Sequence, residues 1–220
     1  AMDPQQRVLL ETAHEAFEDA GVVPSSLAGS STGVYVGIST NEYGWLALFG
    51  VSDPYAGTGS ALSVAAARVA FTWDLRGPTM SVDTACSSSL VAVNLGAGAV
   101  RQGHASAAMI GGVSLILRDT VTGMFASAGM LSSDGRCKTF SVDADGYGRA
   151  EGAGMVLVKP LREALADGDR VYAVIAGSAV NQDGRSNVLT APNGPSQEAV
   201  IRAAWADAES SVREAFYVEA

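Results

Sequence analysis

The chain has 220 residues, enough for one or two domains that bury a hydrophobic core. It is 48% hydrophobic, with 25 glycines and no low-complexity tract, which describes a folded α/β chain and excludes a disordered one. A net charge of −9 without any run of Lys and Arg argues against a nucleic-acid surface, and no apolar segment reaches the uncharged length of a membrane span.

Asp3 can cap a first helix, with Pro4 at the first helical position and Gln6 three residues after the cap. Leu9, Ala13, Ala16, Phe17 and Ala20 share one face of it, Gly21 ends it, and His14 falls on the polar side as a solvated histidine. Gly33–Ile38 is apolar enough to be a central strand. Residues 41–59 read as a loop carrying Tyr43, Trp45, Phe49 and Tyr55, either packed over the core or serving as a lid or subunit contact. Ser60–Trp73 predicts a helix with Ala61, Val64, Ala65, Val69 and Phe71 apolar, and Gly77-Pro78 turns into a strand from Met80. A helix follows to about Arg101, with Gly103 and His104 as a surface turn. Ala107–Ile116 is a buried strand, Thr122–Met130 a short helix and Leu131–Glu151 a long polar loop. The remaining expectations are a strand over Gly154–Pro160, a helical turn over Leu161–Ala166, a strand over Val171–Val180, and a helix capped by Ser196 through Ala208. A further strand is expected to begin at Phe216. Strands alternating with helices predict a layered α/β architecture. A chain that opens on a helix and closes within a strand suggests a piece of something longer.

Chemistry concentrates at Asp83-Thr-Ala-Cys-Ser-Ser-Ser-Leu90, where a strand turns into a helix. The unpaired N–H groups of a helix start favour an anion there, which biases a thiol toward the nucleophilic thiolate. From the residues alone a lone cysteine such as Cys86 is more often a small buried apolar residue. Two distant cysteines exclude a disulfide framework, and with no Asn-X-Ser/Thr sequon they fit a reducing cytoplasm. Two distant histidines and two distant cysteines give no metal cluster. Gly57-Thr-Gly59 lacks the Rossmann spacing, Gly146-Tyr-Gly148 leads to no helix, and the lysines Lys138 and Lys159 form no Walker motif. Asp143-Ala-Asp145-Gly146 imitates part of a calcium loop. With Ser141 first and Gly152 twelfth the carboxylates fall short, so Asp143, Asp145 and Glu151 read as turn and cap residues.

The Asp83–Leu90 stretch resembles the active-site signature of the β-ketoacyl synthases, in the form used by ketosynthase domains of modular type I polyketide synthases. The resemblance extends in order through Asp3-Pro-Gln-Gln-Arg7, Leu75-Arg-Gly-Pro78, Asp134-Gly-Arg-Cys-Lys138, Asp145-Gly-Tyr-Gly148 with Glu151-Gly152, and Ala179–Gly184 with Ser186-Asn187 and Leu189–Ser196. It covers essentially the whole chain. It implies an α/β thiolase-like fold in five αβαβα layers. Residues 1–168 would be most of the N-terminal half and 169–220 the start of the C-terminal half.

The same resemblance implies that Cys86 is the nucleophile and a backbone oxyanion donor, accepting an acyl group from a phosphopantetheine thioester. A malonyl-type extender on acyl carrier protein would then condense with it by decarboxylation, in polyketide or fatty acid biosynthesis, making the parent an acyltransferase. Thr190, Ala191 and Pro192 would lie near the pantetheine arm and Phe140 in a loop near the pocket, while Cys137 receives no role. No cofactor would be bound by the domain itself. The implied partners are acyl carrier protein, a second copy in a homodimer and an adjoining acyltransferase domain, with no nucleic acid and no membrane. Contact with an acidic carrier would rest on local cations such as Arg136, Lys138 or Arg149. The family's catalytic histidines sit in blocks expected beyond Val218-Glu219-Ala220, and neither His14 nor His104 matches them. A chain of this extent is therefore expected to be inactive in condensation and poorly soluble. The alternative reading is a non-catalytic thiolase-fold scaffold or chain-length partner, against which the retained Cys86 speaks.

Overall fold

The computed structural model describes residues 2–48 and 53–219, which belong to two compact units, Ala1–Lys159 and Pro160–Ala220. Phe49 therefore lies outside the described residues.

The first unit begins with α1 (Pro4–Asp19), and Asp3 Oδ1 caps it by accepting from Gln5 N at 2.8 Å. Gln6 does not return a bond to the cap. It is buried instead, accepting from Arg68 Nε at 2.6 Å and donating to the carbonyls of Thr58 and Ala61. Gln5 is buried beside it and donates to Thr40 O at 2.9 Å. The polar first turn thus satisfies backbone groups that would otherwise be buried without partners.

Strand β1 (Gly33–Gly37) is followed by α2 (Glu42–Leu48) and α3 (Ala56–Ser60), so the expected loop over 41–59 contains two short helices. The expected single helix over 60–73 is likewise divided. Ala61 is extended, and α4 runs only from Ser63 to Thr72. On α4 the buried stripe is Ala65, Ala66, Val69 and Ala70, which turns Phe71 outward to 88% exposure.

Then come β2 (Thr79–Val82), α5 (Ser88–Arg101), β3 (Ala108–Ser114), α6 (Asp119–Ser127) and β4 (Gly152–Val158). The strands form one sheet in the order β2-β1-β3-β4, with β1 parallel to both β2 and β3, and β3 antiparallel to β4. Helices α1 and α4 cover one face over Leu9, Phe17, Val34, Val36, Val69 and Met109. Helix α5 covers the other face over Tyr35, Val82, Ala92, Val100 and Ile110. Alternate residues of β1 and β3 serve opposite faces, which is why both strands read as unbroken apolar runs.

The second unit holds α7 (Leu161–Asp167), closed by a left-handed Gly168, and α8 (Gly194–Asp207). The cap of α8 is Asn193, whose side chain accepts from Ser196 N, three residues ahead of the expected cap. Residues 171–180 and 216–219 carry no strand, contrary to expectation. An apolar run states a preference for strand that the fold need not follow. Here Gly177 instead approaches α8 so closely that a Cβ on it would lie 2.3 Å from Ala204 O, and Ser178 N donates to Asp207 Oδ2.

Candidate active site

The residues between β2 and α5 make a wired turn. Asp83 Oδ1 accepts from Ala85 N at 3.0 Å and holds Ala85 in the left-handed region at φ 55°. For a residue with a Cβ that conformation costs about 1–2 kcal/mol, so the surrounding bonds must over-determine it. Ser88 does much of this. Its buried hydroxyl donates to Ala85 O at 2.7 Å and accepts from Thr84 N at 2.9 Å. Thr84 and Ser87 hydroxyls meet at 2.9 Å on the outer side. Cys86 sits in the single 3-10 turn Ala85–Ser87 that leads into α5, as an exposed free thiol.

Small residues seat this turn on the sheet. A Cβ on Gly37 would lie 2.5 Å from Ser89 N and 2.7 Å from Ser88 C, and one on Gly112 would lie 3.0 Å from Ser89 Cβ. The start of α5 therefore rests directly on the carboxyl-terminal ends of the parallel strands β1 and β3, where open α/β sheets place their ligands.

Cys86 lines a cavity of about 640 Å3 within the first unit. Ile38, Leu90, Val93, Ile110 and Val156 give it apolar walls, Ser39 and Thr40 close one side, and Phe125, Tyr147 and Arg149 another. The Tyr147 and Phe125 rings meet edge to face at 6.3 Å.

Tyr147 is presented by the loop between α6 and β4. There Lys138 Nζ bonds Asp145 Oδ1 at 2.5 Å, Asp134 Oδ1 at 2.9 Å and Ser132 Oγ at 2.8 Å. Lys138 is the main reason that Asp134 is held down to about 2, from an ordinary 3.8, and that Asp145 is held lower still. The same carboxylates raise Lys138, Asp145 most. Asp145 therefore ties a loop, as expected of a turn residue. Among the described residues no group of three or more His, Cys, Asp or Glu could hold a metal ion, and no helix is long and apolar enough to cross a membrane.

Other residues singled out in the sequence have these positions. Phe140 is 92% exposed at a left-handed φ of 63° and does not line it. Thr190 and Pro192 are exposed and Ala191 half-buried in the second unit, ahead of α8. His14 pairs with Glu18 on α1, His104 is exposed after α5, and neither lines the cavity. Of the three cations named for carrier contact, Arg136 is exposed. Lys138 is committed to the loop and the Arg149 side chain is only 11% exposed, so these two do not form a free basic patch.

Sequence reasoning missed Glu42. Buried at 1% exposure, its Oε2 accepts from the amides of Leu117 and Arg118 at 2.6 and 2.7 Å, where the chain leaves β3. Glu151 Oε1 takes the preceding amide, Ile116 N, at 2.7 Å. No motif marks Glu42, because its partners come from a distant stretch of chain.

With this geometry in place, the chain can be set beside known proteins. The model described as Beta-ketoacyl synthase, N-terminal domain matches residues 1–164, and that of the Beta-ketoacyl synthase, C-terminal domain matches residues 172–220. The chain is 52% identical over 222 residues to polyketide synthase GfsA of Streptomyces halstedii. It is 51% identical over 222 residues to the pikromycin polyketide synthase component PikAII of Streptomyces venezuelae. Both alignments take in all of this chain but only 3% and 6% of those proteins. The ketosynthase from module 6 of the bacillaene synthase of Bacillus subtilis 168 superposes with a TM-score of 0.87 at 41% identity, over 94% of this chain and 36% of that one. The oxazolomycin ketosynthase domain OzmH KS7 of Streptomyces albus JA3453 gives 0.88 at 39% identity, over 96% and 36%. The helix-flanked sheet is thus the thiolase-like fold of these ketosynthases.

Proposed function

This chain belongs to the β-ketoacyl synthase family, and on that premise we propose that it carries the nucleophile of a polyketide-forming decarboxylative Claisen condensation. The observation that carries the reading is Cys86, an exposed thiol on a wired turn between β2 and α5, opening on the cavity of about 640 Å3. In the proposed reaction Cys86 Sγ, as thiolate, attacks the thioester carbonyl of an acyl chain carried on phosphopantetheine. The tetrahedral oxyanion takes a hydrogen bond from Cys86 N–H, and the pantetheine thiolate leaves, so one thioester replaces another. A malonyl-type unit on acyl carrier protein then loses CO2. Its carbanion attacks the Cys86 thioester carbonyl, and the Cys86 thiolate is expelled from a β-ketoacyl product on the carrier.

The finer assignments are proposals of the same reading. Thr190, Ala191 and Pro192 would follow the pantetheine arm, Phe140 would join the pocket, and residues 1–168 and 169–220 would belong to the two halves of the fold. The protein would work in the cytoplasm as a homodimeric acyltransferase with acyl carrier protein and an adjoining acyltransferase domain. The much longer polyketide synthases among its relatives support this. The chain by itself would not condense, which is supported by the surface positions of His14 and His104.

The test uses a ketosynthase that carries this chain. Intact-mass measurement should find an acyl adduct on Cys86 after exposure to an acyl thioester. Cys86→Ala should abolish both the adduct and condensation with malonyl carrier protein. Product formation unchanged by Cys86→Ala would overturn the reading.

A further inference from the structure

Arg149 stands out in the cavity wall. Its side chain is only 11% exposed, and its partners are few for a group with five N–H donors and a permanent charge. Nη1 donates to Thr122 Oγ1 at 2.5 Å, and the guanidinium carbon lies 5.5 Å over the Phe125 ring, itself a wall of the cavity. Its counter-charge is Glu42, with Nη2 3.9 Å from Oε1, beyond hydrogen-bond length. That Oε1 is buried and accepts no hydrogen bond among the described residues. The other oxygen, Oε2, is fixed by the Leu117 and Arg118 amides. Glu42 is therefore a rigid anion that locates Arg149 and balances its charge without using up its donors.

We propose that Arg149 is a specificity-determining residue of the acyl cavity, positioned by Glu42, and that it selects acyl chains bearing a neutral oxygen, a hydroxyl or a ketone, over their fully reduced counterparts. The inference rests on the ketosynthase reading above. A reduced chain packed against this wall leaves charged donors buried without an acceptor, whereas a hydroxyl or keto oxygen supplies one. Because Glu42 already neutralises Arg149, the site favours an uncharged oxygen over a carboxylate.

The experiment measures kcat/KM for acylation of Cys86 in a ketosynthase that carries this chain. The substrates are N-acetylcysteamine thioesters identical but for a hydroxyl or a methylene at C3, and a second pair differing at C5. Wild type should prefer the hydroxylated member of at least one pair. Arg149→Met should reduce that preference about ten-fold, the scale of one lost hydrogen bond to a charged group. Glu42→Gln, which keeps an oxygen for the Leu117 and Arg118 amides, should reduce it in the same direction, and Arg149→Lys should fall between. A purely structural role lowers both members of a pair together, so a preference unmoved by all three variants overturns the proposal while the ketosynthase reading stands. Absence of acylation by any thioester in the wild type overturns both.

Discussion

At the scale of single residues, glycines decide how α5 meets the sheet, and two of them should respond oppositely to the same change. A Cβ on Gly96 would lie 2.5 Å from Ile110 Cδ1 and 3.0 Å from Tyr35 Cδ2, and both neighbours are fully buried with nowhere to move. Gly96→Ala is expected to destabilise by about 1–3 kcal/mol through overpacking. A Cβ on Gly98, two residues on and on the opposite side of the helix, meets only Gln102 Nε2 at 3.8 Å. Gly98→Ala should therefore stabilise by about 0.5–1 kcal/mol through helix propensity alone. Urea unfolding of both variants checks the pair, and effects of the same sign would contradict this account of α5. Cys86 stands out in the sequence because its neighbours form a contiguous signature, and its role as nucleophile is a proposal. Ser88 lies in the same signature, yet its clamp on Thr84 and Ala85 is a matter of turn geometry that composition does not reveal. Glu42 and Arg149 were not legible as a pair, since only the folded chain brings α2 against the loop before β4.

At the scale of elements, periodicity worked where a segment is covered on a known side. It identified α1, α5 and the strands β1, β3 and β4, whose apolar residues fit the helical or alternating pattern of a two-faced sheet. It failed over 171–180 and 216–219, where an apolar run states a preference but no strand forms. The polar loop between α6 and β4 is an element of another kind, held by charge. Asp134 and Asp145 have carboxyls lowered in the folded state, so their contribution is fully present above the unfolded value of 3.8. It is lost as pH falls through Asp134's value of about 2, and lower still for Asp145. Lys138 is raised above 10.5, so its contribution is complete below that pH and disappears as pH rises through the raised value. The tie should be whole between roughly pH 4 and 10. At pH 7 Lys138→Met should therefore speed tryptic cleavage after Arg136, which lies inside the tied loop. Cleavage at the wild-type rate would show that the loop is held by other means.

At the scale of the whole molecule, the chain spans about a third of the length of the solved ketosynthases it resembles and a small part of its polyketide synthase relatives. Its surface is consistent with that share. Leu90 of α5 is 74% exposed and Val156 of β4 is 51% exposed, and both line the cavity beside Cys86. Phe140 and Val142 stand almost fully free on the loop between α6 and β4. Leu90 and Val156 line the cavity while Phe140 and Val142 stand apart from it, and exposed apolar side chains in this number are characteristic of interaction surfaces. The expected consequence is that the 220-residue chain expressed alone binds an apolar dye such as ANS and self-associates. A complete ketosynthase containing it should do neither to the same degree. Leu90→Glu should improve solubility of the isolated chain, yet impair the complete protein by placing a charge where apolar cover belongs. The paired outcome is what separates a covered interface from a merely greasy surface. If Leu90→Glu leaves the complete ketosynthase as stable as before, the face around Leu90 is not covered, and the cavity beside Cys86 is closed by some other surface.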